Sequence, residues 1–234
     1  MSGQSRRAQK KAQTRASVQQ TARRLFRERG FEAVTIADVA AAADVAVQTV
    51  FNHFPTKEEL FWSDRARWVT GPATAVRGRA PGVPALTALR EHLVDSMGRF
   101  AEALVTAEGR GTVEALERSP VLRTAERELH HQAELLLCAA LEEAWSGPDA
   151  ERPAPADPRL TAALVAATWL ATTRTLVTTL RDPLPAAADV PRLAEHTRAL
   201  TGRLLAGFEE HTGRATAPGI HVPDGSGPGV LRAV

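Results

Sequence analysis

From residue 9 to residue 212 the apolar side chains return mainly at three- and four-residue spacing, and no alternating run of β-branched residues is bounded by hairpin turns. That is the period of a helix face, so the chain is expected to be all-α. A first helix, about 9–29, places Val18, Ala22, Leu25 and Phe26 on one stripe and stops at Gly30, a residue suited to the left-handed cap. Thr35 caps a second helix with Ile36, Val39, Ala40 and Ala43 on one face, and Asp38 stands three residues on, where a capping box needs its acid. This helix breaks at Asp44. A third short helix, about 46–52, ends before Pro55. Thr56 caps a fourth, about 57–69, with Glu58 and Glu59 in the first turn, where the helix dipole favours acids; Gly71 and Pro72 mark its end.

Beyond a Gly/Pro-rich linker at 71–84, helices are expected at about 84–107, 110–118 and 120–145, punctuated by Gly109, Gly111 and Pro120. A Pro-rich polar loop at 146–158 precedes two long helices at about 158–181 and 190–212, separated by Asp182, Pro183 and Pro185. From Gly213 repeated Gly and Pro predict disorder.

The formal net charge of +2 conceals an asymmetry: residues 1–30 carry nine basic side chains against one acid, Glu28, leaving the rest at −6. A basic end on a mildly acidic body suits a protein that meets a polyanion with one end, although a solvated basic tail has the same composition. The single cysteine, Cys138, rules out an internal disulfide and any cysteine-rich zinc site, and reads as inert core. No run of about 18 apolar residues exists, and no apolar stretch follows the basic N-terminus. The expectation is a cytoplasmic protein without a membrane partner.

Three helices of which the second and third are short and joined by a tight turn make a helix-turn-helix, a shape that places its last helix in the major groove of DNA. The residues Thr14-Arg15, Val18, Ala22, Leu25-Phe26, Gly30-Phe31, Thr35-Ile36, Val39-Ala40, Asp44-Val45 and the run TVFNHFPTKEELF at 49–61 closely resemble the TetR/AcrR signature, over about a fifth of the chain. The resemblance implies a flexible basic arm at 1–13, a helix-turn-helix DNA-binding domain at 14–60, a helical effector-binding and dimerisation domain at 61–212 and a disordered tail at 213–234. It also implies a one-component transcriptional regulator: a repressor that binds a palindromic double-stranded operator as a homodimer and is released by a small molecule. Its dimer helices would be 158–181 and 190–212. The first of these has Leu160, Leu164, Val165, Trp169, Leu170, Leu176, Val177 and Leu180 with only Arg174 charged among them, more apolar surface than a single-sided helix needs.

Within the head, Ala40 and Val45 let the two short helices cross closely, and Asp44 stands where the family usually has glycine; aspartate enters the left-handed region more readily than most residues. Thr35 and Thr49 are candidates to clamp the DNA backbone, Thr35 being equally readable as a cap alone. Val47, Gln48, Thr49 and Asn52 are candidates to face bases, since Gln and Asn pair with adenine and an apolar group meets the thymine methyl; the other reading of Gln48 and Asn52 is plain exposed polarity. Phe51 stands where the resemblance expects tyrosine, so only an apolar contact remains, while His53 and Lys57 match its phosphate-binding positions. Arg6, Arg7, Lys10 and Lys11 read either as a groove-reaching arm or as solubilising charge.

For the effector, Trp62, Arg65, Trp68, Met97, Phe100, Leu104, His130, His131, Gln132 and Leu136 combine aromatic walls with a few polar groups, although each is also readable as core or surface. Two other classes compete. Glu126, His130, His131 and Glu134 raise a helical metal-binding enzyme, and a filled core would suit a ligand-free architectural DNA-binding protein. With no Gly-rich phosphate loop, nucleophile elbow or zinc-type cysteine pair, neither an enzyme nor a cofactor is expected.

Overall fold

The computed structural model describes residues 3–63, 67–148, 150–182, 184–186 and 189–215. Among these residues the chain forms ten α-helices and no strand.

The head is built from α1 (Gly3–Arg29), α2 (Ile36–Ala42), α3 (Val47–Phe51) and α4 (Lys57–Trp62). Residues 3–13, expected as a flexible arm, instead continue α1, because no glycine or proline interrupts Gln4–Arg29 and its Ala, Gln, Lys and Arg residues are strong helix formers. The helix stops where Gly30 takes a φ of 79°. Thr35 closes a full capping box: its Oγ1 accepts from the Asp38 N–H at 3.1 Å, and its own N–H donates to Asp38 Oδ2 at 2.8 Å. The turn between α2 and α3 is made at Asp44, whose φ of 54° is the left-handed conformation expected of it. Ala40, 2% exposed, lets the chain fold back so that the Val45 N–H reaches its carbonyl at 3.0 Å.

Apolar residues from all four helices converge on one core containing Val18, Leu25, Phe26, Phe31, Val39, Val50, Phe54 and Phe61. Phe26, Phe31 and Phe61 form a closed triangle with ring centroids 5.3–5.8 Å apart. Leu116 and Leu122 from the next domain complete the same core.

The expected fourth helix, 57–69, is replaced by α4 and by α5 (Arg67–Arg77), and Pro72 lies inside α5 rather than ending it. Proline there removes the bond to the Trp68 carbonyl, a defect that costs about 3 kcal/mol in an isolated helix. Pro72 is nonetheless buried with Val69, Ala73 and Val76, and α5 packs against two other long helices; that burial outweighs the local defect.

The body continues with α6 (Ala85–Ala103), α7 (Ala107–Arg118), α8 (Pro120–Ser146), α9 (Pro158–Arg181) and α10 (Val190–Ala215). Helix α8 lies between α5 and α9, while α6 packs on α5 and α10. Their core includes Leu89, Leu93, Leu137, Leu141, Trp145, Val165, Trp169 and Leu205. Arg90 and Thr87 of α6 both reach Glu209 of α10, at 2.8 and 2.7 Å. The Pro-rich loop after α8 is pinned by Glu151, whose carboxylate accepts from Trp145 Nε1 at 2.5 Å and from the Ala85 N–H at 2.9 Å. Helix α10 runs past Gly213, so the predicted tail loses its first three residues to helix; 216–234 lie outside the described residues.

Helix α9 is apolar and long enough to cross a membrane by length and composition. Here Ala162, Val165, Ala166 and Trp169 are buried in the seam with α8, while Leu160 and Leu164 are 56% and 59% exposed. Its apolar character thus serves two separate faces.

The Asp44 turn supplies a test. Asp44→Val is expected to lower the unfolding free energy by about 1–2 kcal/mol, because a β-branched residue is strained at positive φ. Asp44→Gly is expected to stay within about 0.5 kcal/mol of the parent. Urea denaturation of the three proteins measures both, and equal midpoints would show that the turn is not held left-handed.

Candidate nucleic-acid interface and internal cleft

Helix α3 has five residues, and its exposure follows from its anchoring. Val50 is fully buried and holds the helix to the head core, so Val47 and Phe51 turn outward at 42% and 41% exposure. Gln48 and Asn52, one turn apart, are exposed beside them, and Gln48 Nε2 donates to Asn52 Oδ1 at 3.2 Å. This pairing uses the Asn52 carbonyl and one Gln48 N–H, so the Asn52 NH₂ and the Gln48 carbonyl are left for an outside partner beside two apolar groups, the functional groups needed at an adenine or thymine edge. Thr49 is half-buried; its N–H already donates to the Ala46 carbonyl at 2.8 Å, which leaves its hydroxyl for an outside partner.

Basic side chains surround this helix. Lys57 is half-buried at the start of α4 with Nζ 4.1 Å over the Phe31 ring, and partial burial holds its pKa below the usual lysine range. His53 is half-buried after α3; burial, followed by the charges of Lys11 and Arg15, pushes its pKa down. Arg15 of α1 donates to the His53 carbonyl and lies 4.1 Å over the Phe54 ring. In the sequence Arg15 stands out as part of the family-like signature and as one of nine basic residues, with no role of its own. Its position beneath the end of α3 depends on how α1 crosses the turn. Thr35 is exposed with its hydroxyl engaged by Asp38, at 2.7 Å through Oδ2. That hydrogen bond is the main reason the Asp38 carboxyl stays below its usual pKa.

Two concavities lie further into the molecule. A groove of about 760 Å³ runs between α1 and α7, lined mostly by charged and polar side chains and bridged by Arg23 and Glu108 at 3.0 Å. The other, a cleft of about 530 Å³, lies among α5, α6, α8 and α9 and joins aromatic and apolar walls to several basic groups. Four residues singled out in the sequence line it: Trp68, Met97, Phe100 and His130. Trp68 and His130 pack at 4.4 Å between ring centroids. Gly71 leaves room for the His92 ring: a Cβ at that position would stand 2.6 Å from Nε2, so the imidazole would have to move aside.

The remaining candidates lie elsewhere. Trp62 and Leu104 are buried at 4% and 2% exposure outside the cleft, Trp62 in the head core, where its Nε1 has no hydrogen-bond partner. His131, Gln132 and Leu136 are exposed on α8, because a helix that buries Ala133 and Leu137 must turn those neighbours away. Arg65 lies outside the described residues. His92, Arg174 and Arg181 line the cleft without having been singled out, because periodicity does not tell a basic residue facing a cavity from one facing water. Glu126 does not join the neighbouring histidines around a metal; it pairs with Arg181 at 2.8 Å, and among the described residues no three His, Cys, Asp or Glu side chains gather as ligands.

Residues 20–62 match the family of bacterial regulatory proteins called the tetR family. Among solved structures, the complex of SmeT with triclosan is 20% identical, with a TM-score of 0.52 over 83% of this chain and 90% of that one. GusR of Salmonella enterica is 23% identical, with a TM-score of 0.47 over 82% of this chain and 95% of that one. NalD of Pseudomonas aeruginosa, the secondary repressor of the MexAB-OprM multidrug efflux pump, is 20% identical, with a TM-score of 0.47 over 82% and 96%. No curated protein matches the sequence. The likeness to SmeT concerns the all-α fold.

The cleft histidines have a measurable consequence. Burial, reinforced by Arg99, lowers the His92 pKa; burial also lowers that of His130, with Glu126 opposing and Arg174 and Arg181 adding to the shift. Below the ordinary histidine value near 6.5 the unfolded chain therefore binds more protons, and stability falls as pH falls. The urea midpoint is expected to drop between pH 7.5 and 5.5, with a shallower drop in a His92→Gln/His130→Gln double variant. An unchanged pH slope in that variant would contradict the shift.

Proposed function

Taking as premise a chain whose head is that of the tetR family of bacterial regulatory proteins, we propose a transcriptional repressor that binds a palindromic operator as a homodimer and is released by a small molecule. The observation that carries this reading is the exposed face of α3, where Val47, Gln48, Phe51 and Asn52 stand out between flanking cations. In it Gln48 and Asn52 read bases, Val47 and Phe51 meet thymine methyls, and Thr35, Thr49, His53 and Lys57 hold phosphates with support from Arg15 and Lys11. The division of labour assigns residues 14–60 to DNA and 61–212 to the effector and the partner subunit.

The dimer reading rests on α9 and α10. Leu160 and Leu164 on α9, with Leu204 and Phe208 on α10, are large apolar side chains left more than a third exposed on helices whose other faces are buried. Pairing these helices with a second copy covers them, and a two-fold axis sets two reading helices about 34–36 Å apart, one turn of DNA. Control by a ligand rests on the cleft. It opens against the first turns of α5, which follow α4 by four residues, and α4 packs on both α1 and α8. A ligand against Trp68 and Gly71 shifts α5 and hence the head, favouring a spacing that does not fit the operator. A cleft of about 530 Å³ favours this over a ligand-free architectural role.

Selection from randomised duplexes by the purified protein tests the reading directly; the expected product is a palindrome, and an enriched pool without a shared sequence would overturn it. Asn52→Ala is expected to relax preference at one position of each half-site by about 1–3 kcal/mol. Lys57→Ala is expected to weaken binding to all sequences and lower the salt slope by about one per subunit. Leu164→Glu is expected to yield monomers in analytical ultracentrifugation with loss of operator affinity; a stable dimer would move the interface elsewhere.

A further inference from the structure

The cleft is chemically one-sided in a way that specifies its occupant, an argument that rests on the reading of it as the effector site. Its body is walled by Trp68, Leu93, Met97 and Phe100, a surface for a flat or greasy group. Its polar side carries four arginines, Arg67, Arg99, Arg174 and Arg181, of which Arg99 is paired with Asp95 one turn back, against one carboxylate among the described lining residues, Glu126. That carboxylate is engaged: Arg181 Nη2 lies 2.8 Å from Glu126 Oε1, both side chains less than a fifth exposed. The Arg181 Nε, in contrast, is buried with no hydrogen-bond acceptor. A buried guanidinium N–H without an acceptor is costly, and a ligand oxygen placed against it removes that cost.

Arg174 and Arg181 are seven residues apart on α9, two helical turns, with Val177 between them and Leu170 and Thr173 one turn back; all five line the cleft. The two guanidinium groups therefore lie along one stripe. Both add positive potential at the His130 ring, which packs on Trp68 and meets the cleft in its uncharged form at neutral pH. The Arg181 guanidinium also stands 5.6 Å over the Phe100 ring, so the cationic stripe and the aromatic wall meet. We propose that the effector is an organic acid with an aromatic or comparably apolar body, its carboxylate taken by the Arg181 and Arg174 guanidinium groups and its body held among Trp68, Met97 and Phe100. An amine of the same shape meets repulsion from the arginines, and a neutral isostere loses the charge-assisted bonds.

The test uses three probes of one shape on the full-length protein: 2-naphthoate, 2-naphthamide and 2-naphthylmethylammonium, titrated by calorimetry and by quenching of tryptophan fluorescence. The expected order is naphthoate first, by about tenfold over the amide, with the ammonium weakest. In Arg181→Gln the preference for naphthoate over the amide is expected to fall to less than about threefold; Arg174→Gln, which leaves the Glu126 pair intact, carries the same expectation if Arg181→Gln does not fold. The proposal is overturned if the ammonium binds as well as naphthoate, if acid and amide bind equally, if none of the three binds, or if both folded variants keep the preference. Operator affinity is measured separately by fluorescence anisotropy with each probe present. Naphthoate binding in the expected order without any change in operator affinity supports the ligand class and sinks the regulatory reading, so the two fail independently.

Discussion

The triangle of Phe26, Phe31 and Phe61 is the contact on which the rest of the head depends. It joins the end of α1, the loop after Gly30 and the end of α4. Because Gly30 turns the chain at positive φ, Phe31 can fold back onto the helix it has just left. Lys57 then lies over the outer face of Phe31, so the aromatic core positions a cation at the surface beside α3. A five-residue helix has almost no stability of its own. Helix α3 exists because Val50 and Phe54 insert into this core and because Arg15 holds the carbonyl of His53.

The same core does not end at the head. Leu116 of α7 and Leu122 of α8 are buried in it, so the head and the first turns of the long central helix share one apolar cluster. Helix α8 carries that connection to the other end of the molecule, where its Leu137, Leu141 and Trp145 belong to the body core. Tight packing of this kind moves in discrete steps rather than by continuous deformation, which is the physical basis for expecting a ligand in the body to be felt at α3. Helix α9 has the most divided loyalties: one face packs on α8, one carries the arginines of the cleft, and one leaves Leu160 and Leu164 outside. Ligand and subunit partner would therefore act on a single rigid rod.

The head was readable from residues because its constraints are local. A cap needs an oxygen at Thr35, a stop needs Gly30, a tight turn needs a residue tolerant of positive φ at Asp44, and each requirement leaves its mark within four or five positions. The cleft was half readable. Trp68, Met97, Phe100 and His130 were singled out and do line it, whereas His131, Gln132 and Leu136 sit on the same helix as His130 and face away. On α8 the difference between adjacent residues is about 100° of rotation, and which direction is inward is settled by the neighbours.

By itself, the sequence determined the all-α class, the helix-turn-helix with its short third helix, the long apolar helices near the C-terminal end and the concentration of positive charge at the start. Each follows from periodicity, capping chemistry or charge, properties that act between residues close along the chain, and the helix-turn-helix also from the family resemblance carried by residues between Thr14 and Phe61. Tertiary structure alone decided that α5 runs through Pro72, that Arg15 braces α3, that Glu126 pairs with Arg181 rather than with the histidines beside it, and that Arg181 keeps a buried N–H without an acceptor. Those outcomes depend on which side chain from a distant helix arrives at a given point. Packing energy from many weak contacts overrides local preference there, and no spacing along the chain encodes it.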